Sequence, residues 1–497
     1  LGLAVLPVAA PARAAGPGPA GVDAPGPDPA TIERYVTDYA RRAGYPGVAV
    51  AITRNNRVVL AAGYGHDSSG AAMTARTPMP VASVSKSFTA MAVLRLVEAG
   101  RVRLDSPVRE HLPEFRIADP RGDRITVRQL LNHTSGISDR SHPEKSLPQP
   151  DSLAGAVERA RTATLVAQPG TEHHYTNTNY HIAARLVEVV AGQPFGEQLR
   201  RHVLEPLGMR ASATIDAAPR DLPDNLRRGH SYAYGASVAV AEPHRFLNGS
   251  DGLITTADDM ARWLILHNNG GRAADGTRLV SAGVLAALHR PTNPGSRYGL
   301  GWQLDQQGRV HHTGIWFTYT ASQLLLPSGY GIAVMSNSGI GPGNEGTAGL
   351  AEGLAAILDG GTPKVGPPVR LLIDLVLGAF TLLSLALGVR TVRRAPGWAR
   401  RLADRPGWRP ALRLLPRLVP LGLLAGLPAL LGRLVGGGRD LTHAQLLHYS
   451  APLVLWSVVA SLMGVSVLLA RAHALLRLRR ATRTAPATRA PAQVAAL

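Results

Sequence analysis

The sequence contains no cysteine in 497 residues. A chain without cysteine has no disulfide scaffold, no thiolate zinc site, no iron–sulfur cluster and no cysteine nucleophile. Lysine is also scarce: Lys86, Lys145 and Lys364 are the only three in a chain rich in arginine. Arginine is never deprotonated in a protein, whereas a desolvated lysine can serve as a base. The few lysines are therefore candidates for chemistry that arginine cannot perform.

The chain is strongly basic, with a formal net charge of +19 at pH 7. Such a balance can indicate nucleic-acid binding when it is spread over a domain. Here, however, nine Arg and one Asp occupy residues 390–417, and six Arg and no acidic residue occupy residues 471–497. The basic charge is a property of the C-terminal quarter, so we expect no nucleic-acid partner for the main domain.

Three apolar runs, each about long enough to cross a bilayer, are Leu371–Val389, Leu418–Val435 and Ala451–Ala470. The connection over 390–417 is rich in arginine, whereas the connection over 437–450 has only Arg439 and Asp440 as charged residues. This alternation is the positive-inside pattern. It predicts three transmembrane helices within 371–470, with 390–417 and the basic tail 471–497 in the cytoplasm. Everything before the first span is then extracytoplasmic.

The start of the chain is apolar and continues into Ala12-Arg13-Ala14, which resembles the end of a secretory signal peptide. We expect residues 1–14 to be the remnant of that peptide. The Gly/Pro/Ala-rich residues 15–29 predict a flexible linker. A single large domain is expected over 30–360, and a second linker over 361–370 leads to the membrane helices.

Strand patterns lie at both ends of the large domain. Residues 47–65 predict two strands joined by a turn at Asn55-Asn56, and residues 319–337 predict another pair around Pro327-Ser328-Gly329. Helical spacing marks residues 84–99 and 178–192 between them. We therefore predict an α/β (α+β) domain whose antiparallel sheet is built from both ends of the domain and which contains a helical insertion.

The sharpest local signal is Ser83-Val84-Ser85-Lys86, at the head of the helix predicted over 84–99. Residues three apart share a helix face, so the Lys86 amine can reach the Ser83 hydroxyl. A serine hydroxyl is a poor nucleophile unless a neighbouring base accepts its proton. The spacing therefore makes Ser83 a candidate nucleophile and Lys86 its base, although S-x-x-K also occurs by chance on surface helices.

Two weaker signals follow along the chain. In Tyr175-Thr176-Asn177, Tyr175 could shuttle a proton beside Ser83. Asn177 could present its amide to a substrate carbonyl or hold Lys86, or it could be an ordinary helix cap. In His312-Thr313-Gly314, the glycine would let a substrate lie along a strand edge, and the N–H of Ile315 could join that of Ser83 in an oxyanion hole. A loop without function is the alternative.

In combination, these motifs resemble those of serine β-lactamase-related proteins, namely class C β-lactamases, D-alanyl carboxypeptidases, D-aminopeptidases and related esterases. They occur in family order, and four connecting segments are also similar to family blocks: ITVRQLLNHTSGI (125–137), PLGM (206–209), GLITTADDMARWL (252–264) and YGLGW (298–302). The resemblance covers residues 30–355. It implies a β-lactamase/transpeptidase-like fold and acyl transfer through a Ser83 acyl-enzyme, with Lys86 and Tyr175 as activating groups.

The other histidines, including His133 and His173-His174, have no metal-ligand spacing with carboxylates, so we expect no metal and no cofactor. Two positions depart from the family pattern. His312 stands where penicillin-recognising members usually carry a lysine for the substrate carboxylate, and Asp251 lies in a block where the family commonly has glycine. Histidine is a weaker, pH-dependent cation, so the departure favours esters, D-amino-acid amides or cell-wall peptides over β-lactams.

The expected activity is that of a membrane-anchored serine hydrolase that cleaves an ester or amide at the cell surface. Narrower alternatives are a D-alanyl-D-alanine carboxypeptidase or D-alanine esterase of the envelope, and a β-lactamase. A ligand-acylated sensor or binding protein is the alternative from another class. The expected partners are a small-molecule or envelope substrate and the membrane, and the sequence leaves the oligomeric state open.

Overall fold

The computed structural model describes residues 28–293, 295–343, 346–434 and 436–484. The expected signal-peptide remnant, most of the first linker and the last part of the basic tail lie outside the described residues. The expected domain boundaries therefore remain predictions at both ends of the chain.

Most strands have only two to four residues. The strands are β1 (Gly47–Arg54), β2 (Arg57–Gly65), β3 (Met79–Pro80), β4 (Ala213–Thr214), β5 (Ala217–Ala218), β6 (His230–Ala233), β7 (Ala236–Ala239), β8 (Arg245–Phe246), β9 (Leu253–Thr255), β10 (Gln303–Leu304), β11 (Val310–Ile315), β12 (Thr320–Leu325) and β13 (Tyr330–Ser336). The helices are α1 (Pro29–Ala43), α2 (Ser85–Glu98), α3 (Val108–His111), α4 (Val127–Leu131), α5 (Leu153–Arg159), α6 (Asn177–Ala191), α7 (Phe195–Leu199), α8 (Ala257–Asn268), α9 (Ala282–His289), α10 (Ala348–Leu358), α11 (Val369–Arg393), α12 (Ala395–Leu402), α13 (Trp408–Leu414), α14 (Val419–Leu434), α15 (His443–Tyr449) and α16 (Ala451–Thr484).

The central sheet has six strands in the order β10-β11-β12-β13-β1-β2, and every neighbouring pair is antiparallel. Strands β1 and β2 come from the beginning of the domain and β10 to β13 from its end, as predicted. The turn at Asn55-Asn56 joins β1 to β2, with Asn55 at a φ of 52°. Asparagine tolerates this left-handed conformation better than most residues. The predicted fold class is confirmed.

Both faces of the sheet are buried, and β1 shows why. Its odd and even side chains point to opposite faces. Val48, Val50 and Ile52 pack with α1 and α10, whereas Ala49 and Ala51 face a larger core that contains α2 and α8. Helix α2 is buried on almost every side. Its Phe88 stacks on Trp263 of α8, with 3.8 Å between the ring centroids. This packing fixes the start of α2 below the sheet.

Three helical segments at the C-terminal end are long and apolar enough to cross a membrane: Val369–Arg393, Trp408–Leu434 and Ala451–Ala481. They coincide with the three predicted spans. The first is longer at both ends, the second begins earlier, and the third continues further. The second consists of α13, a tighter turn at Leu415–Leu418 and α14. Large apolar side chains such as Leu382 and Leu434 point outwards, 69% and 73% exposed, as lipid-facing side chains would.

The first span is joined to the domain through its first turns. The buried Arg370 donates to Ser338 Oγ at 3.4 Å and to the Ile340 carbonyl at 3.2 Å. Asp374 accepts a hydrogen bond from the Tyr234 backbone N–H at 2.9 Å. These contacts give the two charged residues at the start of α11 partners in the domain, so their presence beside an apolar run is explained.

Candidate active site

The predicted nucleophile lies in a strained turn. Ser83 belongs to the tight 3₁₀ turn Ala82–Val84 that leads into α2, and Ala82 has a φ of 48°. A non-glycine residue in this left-handed region costs about 1–2 kcal/mol, and such strain clusters at functional sites. The turn places the Ser83 side chain, partly exposed, at the mouth of a pocket rather than inside the core.

The Lys86 amine lies one turn further along and contacts the nucleophile directly. Its Nζ donates to Ser83 Oγ at 2.8 Å, to Asn177 Oδ1 at 2.9 Å and to the Ser250 carbonyl at 3.0 Å. An ammonium group has three donors, and here all three have acceptors. Lys86 is fully buried, so the network holds it with little freedom. The predicted contact between Ser83 and Lys86 is therefore present, and Asn177 holds Lys86 in place.

Asp251, a departure from the family pattern with no interpretation in the sequence, is a second partner of the predicted nucleophile. The Ser83 hydroxyl donates to Asp251 Oδ1 at 2.7 Å. Although burial opposes ionisation, the charges of Lys86 and Arg245 hold the pKa of Asp251 well below its ordinary value. Arg245 lies 3.2 Å from Asp251 Oδ2 and 3.6 Å from Glu144 Oε1. The nucleophile is thus set between an ammonium and an ionised carboxylate.

Glu144 and Arg245 were not predicted from the sequence. Glu144 is fully buried and accepts a hydrogen bond from Asn177 Nδ2 at 3.0 Å. Lys86, Arg245, Asp251 and Glu144 form two cations and two anions in one buried cluster, and paired charges of this kind are tolerated in an interior. Only the neighbouring Lys145 would have drawn attention to Glu144, because Lys145 is one of the three lysines.

The Tyr175 ring is fixed by aromatic and cationic neighbours. The Lys86 Nζ lies 5.0 Å from its centroid, and the imidazole of His133 lies 4.2 Å away on an adjoining side. His133 itself is held in place by the Asn179 amide, which donates to its Nδ1 at 3.2 Å. Tyr175 lines the same pocket as Ser83. Ser83 and Tyr175 thus line one pocket, and the Lys86 amine lies beside both; their catalytic roles remain predictions.

The third motif lies on β11 and borders this pocket. Strand β10 pairs with β11 only at Val310 and His311, so the edge from His312 onward is uncovered. His312, Thr313 and Ile315 line the pocket. The oxyanion role of the Ser83 and Ile315 N–H groups remains a prediction, but both residues border the same space.

The environment of His312 changes its expected role. Its Nδ1 faces the Thr313 carbonyl at 2.7 Å and must carry the proton, so Nε2 accepts from the Tyr298 hydroxyl at 2.8 Å. Burial and the charge of Lys86 lower the pKa of His312 to about 3. The imidazole is therefore neutral at pH 7, and it is not the substitute cation for a substrate carboxylate that the sequence suggested.

Gly314 has a steric role that the sequence does not indicate. A Cβ at this position would lie 2.1 Å from the Val81 carbonyl oxygen and 3.1 Å from the Ala82 Cβ. Glycine lets β11 pass directly over the turn that carries Ser83. The space for a substrate along the strand edge, expected from the sequence, remains a prediction.

The pocket has a volume of about 270 Å³ and is lined by residues from two distant parts of the chain. One group belongs to the domain and includes Ser83, Tyr175 and Asp251. The other comes from the connection between the second and third membrane helices: Gly436, Arg439, Leu441, Gln445 and Tyr449. A larger cavity of about 920 Å³ lies on the other side of this connection, beside α14, and does not include Ser83.

Comparison with known proteins agrees with this geometry. The family model described as Beta-lactamase matches residues 32–357, more than half of the chain. The chain belongs to the Beta-lactamase family. Members of the Beta-lactamase family are generally serine hydrolases, and the fold and the resemblance stated from the motifs are thereby confirmed.

Two relatives and one solved structure are similar to this chain. It is 32% identical over 316 residues to penicillin-binding protein 4 of Amycolatopsis lactamdurans, across 59% of this chain and 81% of the relative. It is 26% identical to protein flp of Staphylococcus aureus, across 62% of each chain, so it spans less than two thirds of that relative. The structure of the octameric penicillin-binding protein homologue from Pyrococcus abyssi has a TM-score of 0.58 and 25% identity, with 71% of this chain and 81% of the other covered.

Proposed function

We propose that this member of the Beta-lactamase family is a membrane-anchored serine hydrolase that cleaves an ester or amide through an acyl-enzyme on Ser83. The observation that carries the proposal is the distance of 2.8 Å between Lys86 Nζ and Ser83 Oγ in a pocket that also contains Tyr175. A serine with an adjacent amine, held by a third group, has the arrangement of an activated nucleophile. Here Asn177 is that third group.

In the proposed reaction, Ser83 Oγ attacks the carbonyl carbon and forms the acyl-enzyme as the bond to the leaving group breaks. The Lys86 ammonium donates to the same oxygen and stabilises its developing charge. The hydroxyl proton passes to the Asp251 carboxylate, to which it is directed in the resting site. Tyr175, which lines the same pocket, gives its phenol proton to the leaving group. Water then cleaves the acyl-enzyme: its oxygen adds to the carbonyl carbon, its proton returns to Tyr175, and Ser83 recovers its own proton from Asp251.

We also infer that the catalytic domain lies outside the cytoplasm. The connection between α14 and α16 contacts this domain through Asp440, whose Oδ2 accepts from the backbone N–H groups of Lys145 and Ser146 at 3.0 and 2.7 Å. At the other end of the bundle, Arg479 of α16 donates to the Ala403 carbonyl at 3.2 Å. The domain and the arginine-rich segments thus lie at opposite ends, which supports the positive-inside orientation.

A peptidase acting on cell-envelope peptides is the second candidate. It is favoured by the relative called penicillin-binding protein 4, at 32% identity, and by membrane attachment, which would keep the enzyme beside an insoluble polymer. A β-lactamase and an acylated sensor are the remaining alternatives, and they differ in how fast the acyl-enzyme is hydrolysed.

The test uses the full chain in lipid nanodiscs with four compounds: a chromogenic cephalosporin, a nitrophenyl ester, a D-alanine anilide and a D-Ala-D-Ala peptide. We expect turnover of at least one, and the Ser83→Ala variant to lower kcat/KM by a factor on the order of 10⁴ or more. Ser69→Ala, in an exposed loop, is the matched control. Mass spectrometry should find the acyl group on the peptide that contains Ser83. Stoichiometric labelling without turnover would favour the sensor, and equal activity of parent and Ser83→Ala would exclude the hydrolase.

A further inference from the structure

Residues 436–449, called here the capping segment, connect the second and third membrane helices and cover one side of the pocket. The segment leaves α14 through Gly437 and Gly438, both at positive φ, and ends in α15. A reciprocal pair of hydrogen bonds fixes the start of that helix, because Thr442 Oγ1 accepts from the Gln445 N–H and Gln445 Oε1 accepts from the Thr442 N–H. The capping segment is therefore an ordered wall of the site.

Asp440 attaches the capping segment to the domain. Its two carboxylate oxygens accept hydrogen bonds from both backbone N–H groups of Lys145-Ser146 and from the Ser146 hydroxyl. The Lys145 amine donates to the Asp440 carbonyl at 2.7 Å. These four hydrogen bonds fix the position of the segment beside the pocket.

Arg439 points from the capping segment into the pocket. Its Nε donates to Asp139 Oδ2 at 2.7 Å, and its guanidinium carbon lies 4.7 Å from the centroid of the Tyr175 ring. Its side chain is 24% exposed. Among the described residues, the two terminal Nη groups of Arg439 have no hydrogen-bond partner. A guanidinium whose Nε is occupied and whose terminal N–H groups face open space presents the geometry that binds a carboxylate or phosphate.

The charges that surround the pocket favour a negatively charged ligand. Lys145, Arg245 and Arg439 are the basic residues of its lining, and Asp251 is the acidic one. Arg245 is already paired with Asp251 and Glu144. His312, at the position where penicillin-recognising members of the family usually carry a carboxylate-binding lysine, is neutral. Strand β11 therefore has no cation for a substrate carboxylate at position 312, and Arg439 of the capping segment supplies one to the same pocket.

We propose that Arg439 is a specificity-determining residue that receives a carboxylate or phosphate group of the acyl donor, and that the membrane part of the chain thereby completes the substrate site. This inference rests on the proposed hydrolase function and names its substrate class. The donor is an anionic ester or amide whose negative group reaches the Arg439 guanidinium beside the Tyr175 ring.

The test compares matched substrates on the full chain in lipid nanodiscs. One pair is mono-nitrophenyl glutarate and its methyl ester, which differ by one negative charge on the acyl side. A second pair is a nitrophenyl ester with and without a carboxylate on the phenol. Each is measured with the parent, Arg439→Gln, Arg439→Lys and Arg433→Gln. Arg433 has the same charge and lies close by in the sequence, at the end of α14, but it lines the neighbouring cavity and not the pocket of Ser83.

For Arg439→Gln, we expect KM for an anionic substrate to rise about tenfold or more, with kcat and all constants for the neutral partner within about twofold of the parent. Arg439→Lys should restore part of the affinity, and Arg433→Gln should change neither. The two pairs tell which side of the scissile bond carries the charge.

Three results would overturn the proposal while leaving the Ser83 hydrolase intact. The first is an equal loss for charged and neutral substrates, which would make Arg439 a merely structural residue. The second is no change in either. The third is an equal gain for both, which would make the capping segment a block on the cleft. Thermal unfolding of each variant is measured beside the kinetics, because Arg439→Gln removes a partner of the buried Asp139 whichever result is found. Only a difference between the charged and the neutral substrate therefore supports the proposal.

Discussion

At the level of single residues, the hydroxyl of Ser83 is contacted by an ammonium on one side and by a carboxylate on the other. In the sequence, Asp251 was only an unexplained departure from the family pattern. In the structure its Oδ1 accepts the Ser83 proton at 2.7 Å. The same carboxylate balances the buried charges of Lys86 and Arg245, so we expect it to affect both the reactivity of Ser83 and the stability of the site.

Replacement of Asp251 by Asn separates these two effects. The amide oxygen can still accept from Ser83, but the two buried cations lose a counterion. We expect a loss of about 3 kcal/mol in the free energy of unfolding and a fall in kcat of about tenfold or more, with KM for a neutral ester nearly unchanged. Steady-state kinetics and chemical denaturation measure both. Ser250→Ala, which removes one hydrogen bond to Asp251 and no charge, should have a much smaller effect.

Glu242 is a buried acid away from the pocket and gives a pH-dependent prediction. Burial raises its pKa from 4.5 to about 7, although Thr318 donates to it from N–H and hydroxyl. Because the pKa is higher in the folded state, the unfolded chain loses this proton first, and stability falls as the pH rises from about 4.5 through 7.

Glu242→Gln keeps an acceptor for Thr318 and removes this titration. The variant should be more stable than the parent at pH 8, by at most about 3 kcal/mol, and should lose that advantage at pH 4.5. Thermal unfolding at the two pH values is the measurement. The exposed Glu33→Gln should follow the parent at both, and an advantage of Glu242→Gln that is independent of pH would contradict the assignment.

At the level of secondary-structure elements, the site depends on the crossing of β11 over the turn before α2. The two elements are more than two hundred residues apart in the sequence, and their close approach requires that position 314 have no side chain. A Cβ there would lie 2.1 Å from the Val81 carbonyl oxygen. Backbone cannot move aside as a flexible side chain can, so either the strand or the turn must shift.

Gly314→Ala should therefore lower both stability and activity. We expect a cost of about 1–3 kcal/mol, typical of overpacking, and a loss of about tenfold or more in kcat/KM, because the displaced turn carries Ser83. Gly283→Ala, in α9 with nothing near its added Cβ, should be neutral or slightly stabilising. A Gly314→Ala protein with parental activity would show that the turn does not need this contact.

These elements also show what a sequence can predict. The two hairpins, the Ser83–Lys86 spacing and the three apolar spans are local patterns, and the structure contains all of them. The cluster of Glu144, Arg245 and Asp251 is not local, because its members are brought together only by folding. The neutral state of His312 could not be predicted either, since it follows from burial and from the position of Tyr298. In the sequence, Arg439 is one of two charged residues in a short connection between apolar runs, and nothing local places it beside Tyr175.

For the whole molecule, the contacts at the two ends of the membrane bundle support one orientation. Reporter fusions after residues 405, 445 and 480 test it. We expect a cytoplasmic signal at 405 and 480 and an exterior signal at 445, because the segment near 445 contacts the catalytic domain and the other two positions follow arginine-rich stretches. An exterior signal at 405, or a cytoplasmic one at 445, would contradict the proposed topology.

The contribution of residues after 435 to the pocket has a practical consequence. A soluble fragment that ends near residue 360 would present a wider and less basic cleft than the intact protein does. Inhibitors selected against that fragment would be fitted to a surface that the cell never displays. A detergent that separates the second helix from the third would displace the capping segment and so change the substrate preference that an assay measures. Kinetic differences between variants should therefore be compared in more than one detergent or lipid.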